Sequence, residues 1–230
     1  FKVSDSATLK AKASLGDSGH ATVYYYYDDS VDPSIGDGTA IYPYASFTQC
    51  LQALNESRNA CLNVKGKLVI PSGINDLLAN TEIKTEADGE IFFEAGSTLG
   101  VKNSTLSLKN CKISNESSSR YQNTIPLFKL ENSVLTLQNC VVSTNFIKNA
   151  NIFETYNSVL NVTDSLITAI GKSYASCISS VNSKLNIKNT TLTAAADTCV
   201  VASVHEGSVD FKENIFRCFN NKFFIIFIYI

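Results

Sequence analysis

The 230-residue chain contains no methionine and no tryptophan, two histidines, and three arginines: Arg58, Arg120 and Arg217. Without methionine it reads as a mature form or an internal fragment, and no signal peptide is legible at its start. With two histidines and no Cys-x-x-Cys spacing, neither a zinc site nor any other metal or cofactor is expected. Basic residues number 19 against 21 acids, a net charge of −2. There is no basic stripe, so nucleic acid is not an expected partner. Charged residues make up 17% of the chain, while Asn, Ser and Thr are abundant, a composition shared with secreted β-solenoids. No apolar run approaches the roughly 20 residues a membrane helix needs. The apolar tail 223–230 is far shorter, and fits the start of a truncated span, one more buried rung or a sequence artefact.

What is present is a repeat. Asn103-Ser104-Thr105-Leu106-Ser107-Leu108 aligns with the runs that begin at Asn132, Asn157 and Asn182, and more weakly with Gly207-Ser208-Val209-Asp210-Phe211. Leu106, Leu135, Leu160, Leu185 and Val209 then share one column, at offsets of 29, 25, 25 and 24 residues. Each repeat holds three short segments of two-residue apolar alternation, joined by turns rich in Asn and Ser. Three strands at about 3.3 Å per residue use up a period of this size. No repeat carries a useful helical pattern, and the leucine-rich consensus is absent. The fold expected is an all-β parallel β-helix, a solenoid of about six coils whose repeats bury their apolar faces against their neighbours.

A second column consists of Asn110, Asn139, Asp164 and Asn189. Asn and Asp tolerate left-handed backbone angles, so this column is read as a structural turn. Stacked amides at a rung spacing of about 4.8 Å can also hydrogen-bond along the axis. The next residue is small each time: Cys111, Cys140, Ser165 and Thr190.

An open solenoid end must be covered. Phe47, Cys50, Leu51 and Leu54 lie on one face of a short helix over residues 46–54, with Ser46 as its N-cap. Around it stand Val23-Tyr24-Tyr25-Tyr26, Asp32, Gly36-Asp37-Gly38-Thr39, Pro43-Tyr44-Ala45-Ser46-Phe47 and Lys67-Leu68-Val69-Ile70-Pro71-Ser72-Gly73. This opening, with the repeats after it, resembles right-handed parallel β-helix proteins of the pectate-lyase-like superfamily over residues 23–218. Within that group the chain is most similar to adhesin-like and polymorphic-membrane-protein-like surface proteins. Phe211-x-x-Asn214 matches the Phe-x-x-Asn motif of the latter, but it occurs once and the Gly-Gly-Ala partner motif is absent. The organisation expected is a β segment over 1–30 that fits the end of a preceding domain, a cap over 31–62, a β-helix over 63–218 and the tail over 219–230.

Seven cysteines are an odd set. Cys111 and Cys140 fall in one column on adjacent coils, where a disulfide and a pair of stacked thiols fit equally well. Cys50 and Cys61 flank the cap helix and could close it. Asn55, Asn103, Asn115, Asn161 and Asn189 each begin an Asn-x-Ser/Thr sequon, which a eukaryotic secretory pathway would read.

Three chemical readings remain. Gly16-Asp17-Ser18-Gly19 is similar to a serine-protease turn, but no His–Asp pair precedes it, and a polar loop is the simpler reading. The resemblance implies polysaccharide chemistry, which needs clustered carboxylates. The aligned repeats offer none: Glu131 lines up with Tyr156, Glu154 with Ser179, and Asp164 with Asn139 and Asn189. Asp28-Asp29 lies before the cap, away from the coils. The longest coil carries four extra residues around 115–123, which read first as a solvated loop with no ligand and otherwise as a binding bulge, where Arg120 and Tyr121 are the candidate contacts for a host-surface protein or a glycan. The function expected is a non-catalytic extracellular or cell-surface stalk or adhesin-like passenger region, monomeric or part of a longer chain. The alternative is a relative of polysaccharide lyases or glycoside hydrolases whose catalytic coils lie outside this chain, and a third reading is a purely structural spacer.

Overall fold

The computed structural model describes residues 14–15, 21–117, 125–219 and 224–229. It is a parallel β-solenoid of about six turns with one short helix near the N-terminus. Three sheets run the length of the molecule, and the chain visits them in strict rotation. In one central coil, Thr105–Lys109 lies in the first sheet, Lys112–Asn115 in the second and Phe128–Glu131 in the third. Strand Ala21–Asp28 is a further rung of the first sheet, paired in parallel with Asn59–Lys65. Strand Phe224–Tyr229 pairs with Thr198–His205 and continues the third sheet.

The register follows from the apolar pattern, because a slip of one residue would turn every inward side chain outward. Leu106, Leu135, Leu160, Leu185 and Val209 are successive partners in the first sheet, as their alignment predicts. The four leucines are buried, whereas Val209 in the last coil is only partly so. Ile91, Ile113, Val142, Ile167 and Leu192 form the matching inward column of the second sheet. Phe93, Phe128 and Phe153 are fully buried and pack ring against ring in the interior, with centroids 5.2 and 5.5 Å apart. Each leucine taken out of water adds about 1.5–3 kcal/mol, so the columns dominate the stability.

The cap is the helix Phe47–Asn55. Ser46 is its N-cap, its hydroxyl accepting from the Gln49 N–H at 3.4 Å. Phe47, Cys50, Ala53 and Leu54 are buried, and Leu51, placed on the buried face by its spacing, is only partly covered. The Asp37-Gly38-Thr39 turn packs under Tyr44. Gly38 has φ +83°, and a Cβ there would lie 2.4 Å from the Tyr44 ring, so only glycine fits.

Asp28 and Asp29 do contact the coils, contrary to the sequence reading. Asp28 receives the Lys65 ammonium at 2.7 Å, and Asp29 accepts the Lys67 N–H at 2.8 Å. A glycine is required at position 66 because its φ is +76° and the Asp29 carboxylate occupies the space of a Cβ. The two acids thus fasten the cap loop to the first corner of the first coil. Cys50 and Cys61 do not close the cap: both are free thiols, Cys50 under the helix and Cys61 in register with Tyr24 and Glu82. The disulfide that is present joins Cys199 in the third sheet to Cys218 in the second.

Candidate functional site

Two of the three corners are built alike. Between the third and first sheets, Asn103, Asn132, Asn157 and Asn182 have φ of 47–51°. Between the first and second sheets, Asn110, Asn139, Asp164 and Asn189 have φ of 47–58°. Both columns thus have the left-handed backbone of a tight turn, and they stand side by side. In the left-handed region the Cβ crowds the following carbonyl, and Asn and Asp bear this best after glycine. The side chains also link along the axis: Asn139 donates to Asn110 at 2.8 Å and Asn189 to Asp164 at 2.7 Å. On the outer face of the first sheet Asn186 donates to Asn161, which donates to Thr136.

The residue after each left-handed turn does more than fit a tight corner. The N–H of Ser104 donates to the hydroxyl of Ser133, Ser133 N–H to Ser158, and Ser158 N–H to Ser183, at 3.0–3.3 Å. Each of the accepting hydroxyls donates in turn to the carbonyl two residues before it, as Ser158 does to Tyr156 at 2.7 Å. At the other corner Cys140 N–H donates to the hydroxyl of Ser165, Ser165 N–H to that of Thr190 and Thr190 N–H to the side-chain amide oxygen of Asn214. Each side chain thus bridges two coils and satisfies a main-chain donor that the sheets leave over. Cys111 and Cys140 occupy this ladder too, their thiols donating to Lys109 and Gln138.

Carboxylates on the outer faces are mostly in ion pairs. Asp76 meets Lys102 at 2.6 Å, Glu82 lies between Lys84 and Lys109, and Glu131 meets Lys129. Hydrogen bonds from Lys65 and then from Ser30 hold the Asp28 carboxyl at about 2, well below its ordinary value. One acidic pair does stack, which the aligned repeats missed. Phe93 is opposite Asn115, so Glu94 and Glu116 follow in register at the third corner. Each is committed to the turn of the preceding coil: Glu94 accepts the Ser72 N–H at 3.0 Å and Glu116 the Ala95 N–H at 3.2 Å. Among the described residues no three His, Cys, Asp or Glu side chains are grouped closely enough to hold a metal ion.

The third corner carries most of the variation in length, from 196–197 in one coil to 116–127 in the longest, while the corner between the first and second sheets varies only in the first coils, from residue 66 to 86–89. Arg120 and Tyr121 lie outside the described residues, as does Ser18. Two other surfaces stand out. A groove of about 460 Å³ beside the cap is lined by Tyr26, Asn63, Lys84 and Glu86 among others. On the C-terminal half of the second sheet, Val141, Leu166, Ile170, Ile215 and Phe219 are exposed on a face whose N-terminal half carries Lys67, Glu90 and Lys112. Fold and surface together define a parallel β-solenoid whose polar columns are committed to holding its coils in register. No known protein family, curated protein or solved structure matches this chain at a significant level.

Proposed function

We propose that this chain is a non-catalytic display module, an extracellular or cell-surface stalk or adhesin-like passenger region. The observation that carries this reading is the division of labour among the corners. From Asn103 onward two are locked by left-handed Asn and by ladders of hydroxyl and thiol side chains, and among these coils the third alone varies in length. Variable loops on a rigid rod are the arrangement by which repeat proteins present a contact surface. In this reading the chain is related to the right-handed pectate-lyase-like β-helices, on the side of their adhesin-like and polymorphic-membrane-protein-like members. Its partner is a host-surface protein or a glycan, met by Arg120 and Tyr121.

The second reading, a polysaccharide-active relative, draws on the groove beside the cap with its tyrosine, amide and charged lining. One pair of measurements separates the two. The display reading expects no product release from pectin, alginate or glycosaminoglycans, with or without millimolar Ca²⁺. It also expects binding to cells or a glycan array that falls at least tenfold in Arg120→Ala/Tyr121→Ala. Cleavage that disappears in Asp164→Asn would overturn it.

A further inference from the structure

Five of the seven cysteines are free thiols, all of them buried. Cys111 and Cys140 differ from the other three in their geometry. They occupy one ladder on successive coils, each following a left-handed Asn. The residues after them, Lys112 and Val141, are direct partners in the second sheet, and Val141 N–H donates to the Cys111 carbonyl at 2.9 Å. The two Cα atoms are therefore one rung apart, about 4.8 Å, inside the window of roughly 4.4–6.8 Å that a disulfide spans. The two thiols act on one another's ionisation. We infer that Cys111 and Cys140 are an oxidisable pair that closes into a staple between adjacent coils, locking the segment that contains the longest corner.

The ladder suggests which sulfur reacts first. The Cys111 thiol, and after it the Cys111 N–H, lowers the pKa of Cys140 against the opposing effect of burial. The same contact, with burial, raises that of Cys111. Burial alone pushes Cys50 and Cys177 up to about 12. The Cys140 thiolate attacks one sulfur of a small disulfide such as oxidised glutathione, whose other half leaves as a thiolate. Cys111 then gives up its proton and attacks the Cys140 sulfur, displacing the second half. Two protein thiols and one small disulfide become one protein disulfide and two small thiols. Both cysteines are 1% exposed, so the reaction proceeds through local opening of this corner. The linkage gives up the weak contacts of the two S–H groups with main-chain carbonyls, those of Lys109 and Ile83 for Cys111 and those of Gln138 and Leu108 for Cys140.

The test treats the folded protein with oxidised glutathione, blocks free thiols with iodoacetamide in denaturant and maps the peptides. The expected product is lighter by two hydrogens before alkylation and joins Cys111 to Cys140, while Cys50, Cys61 and Cys177 remain alkylated. Its melting midpoint rises by about 5–10 °C, the gain expected from closing a loop of this length in a chain of this size. Cys111→Ser keeps the ladder, since Ser serves the same place in later coils, and should trap a glutathione adduct on Cys140. The inference is overturned if Cys111 and Cys140 both remain alkylated, if wild type stops at the adduct, or if the crosslinked product melts no higher. A Cys111→Ser protein that folds but takes no adduct overturns the assignment of Cys140 as the attacking sulfur.

Discussion

The coils between Asn103 and Ala195 and the last coil, Glu206 to Phe219, have the same backbone course but not the same chemistry. In the central coils each left-handed corner holds Asn or Asp, and the next residue is Ser, Thr or Cys. In the last coil the left-handed residues are Glu206 and Glu213, with φ of 50° and 56°. Gly207 stands where the central coils place a bridging Ser, and a Cβ there would lie 2.3 Å from the Ser183 carbonyl. Val209, Phe211 and Phe216 are only partly buried, where their central counterparts are fully enclosed. The parallel pairing persists regardless, and the Cys199–Cys218 disulfide ties this coil back to the one before it. Main-chain pairing is thus enough to continue the solenoid for one coil, while ladders and enclosed columns distinguish its stable interior.

The largest effect should come from charging the leucine column. Leu160→Asp places an unpaired carboxylate among Leu135, Leu185 and the facing sheets, and should cost about 4 kcal/mol or more. The same change at Val209, already part-exposed, should cost less than about 1.5 kcal/mol. Urea melts of the two variants measure the contrast, and equal losses would show that the last coil is as tightly built as the middle.

Next come the corners. Ser158→Ala removes the acceptor of the Ser133 N–H and should destabilise by about 1–3 kcal/mol, the cost of a buried donor left unmet. Glu206→Asn should act in the opposite sense, gaining about 0.5–1 kcal/mol by relieving a left-handed Glu. A stabilising Ser158→Ala in thermal melts would remove the ladder from the account of stability.

The smallest effect lies at the opposite end, in the cap. The folded state holds Asp28 near 2, below its ordinary 3.8, so protonation favours the unfolded chain. The stability Asp28 contributes is complete above about pH 4 and is lost as the pH falls toward 2. Because Lys65 is largely in solvent, the contribution should stay below about 1 kcal/mol. Asp28→Asn should flatten this part of an acid titration followed by tyrosine fluorescence. An unchanged acid limb would mean that other carboxylates carry it.

The fold was legible because its signals are periodic: one leucine per coil and one Asn per corner, repeated until chance is excluded. The Ser and Cys column was visible only as small residues, since a sequence does not show that a hydroxyl reaches the N–H of the previous coil. Glu94 and Glu116 went unseen because the first coil carries Leu78-Ala79 where the later coils carry the Asn-Ser tag, which leaves no alignment to place the acids in register. Asp28 and Asp29 contact residues 65 and 67, a separation that no local pattern encodes. Of the candidate site residues, the four of the turn column were readable because backbone geometry alone selects Asn and Asp.

The ladders also have a direction. The main-chain N–H of Ser133 is completed by Ser158, that of Ser158 by Ser183, and that of Cys140 by Ser165, always by a side chain from the coil that follows in the chain. A polypeptide emerging from a ribosome or an export pore N-terminus first therefore never has more than one coil with unfinished corners. Each arriving turn closes its predecessor and becomes the new open rim. The molecule grows as masonry does, course upon course, and among the central coils a chain stopped after one course leaves the same small number of unmet donors as a chain stopped after another.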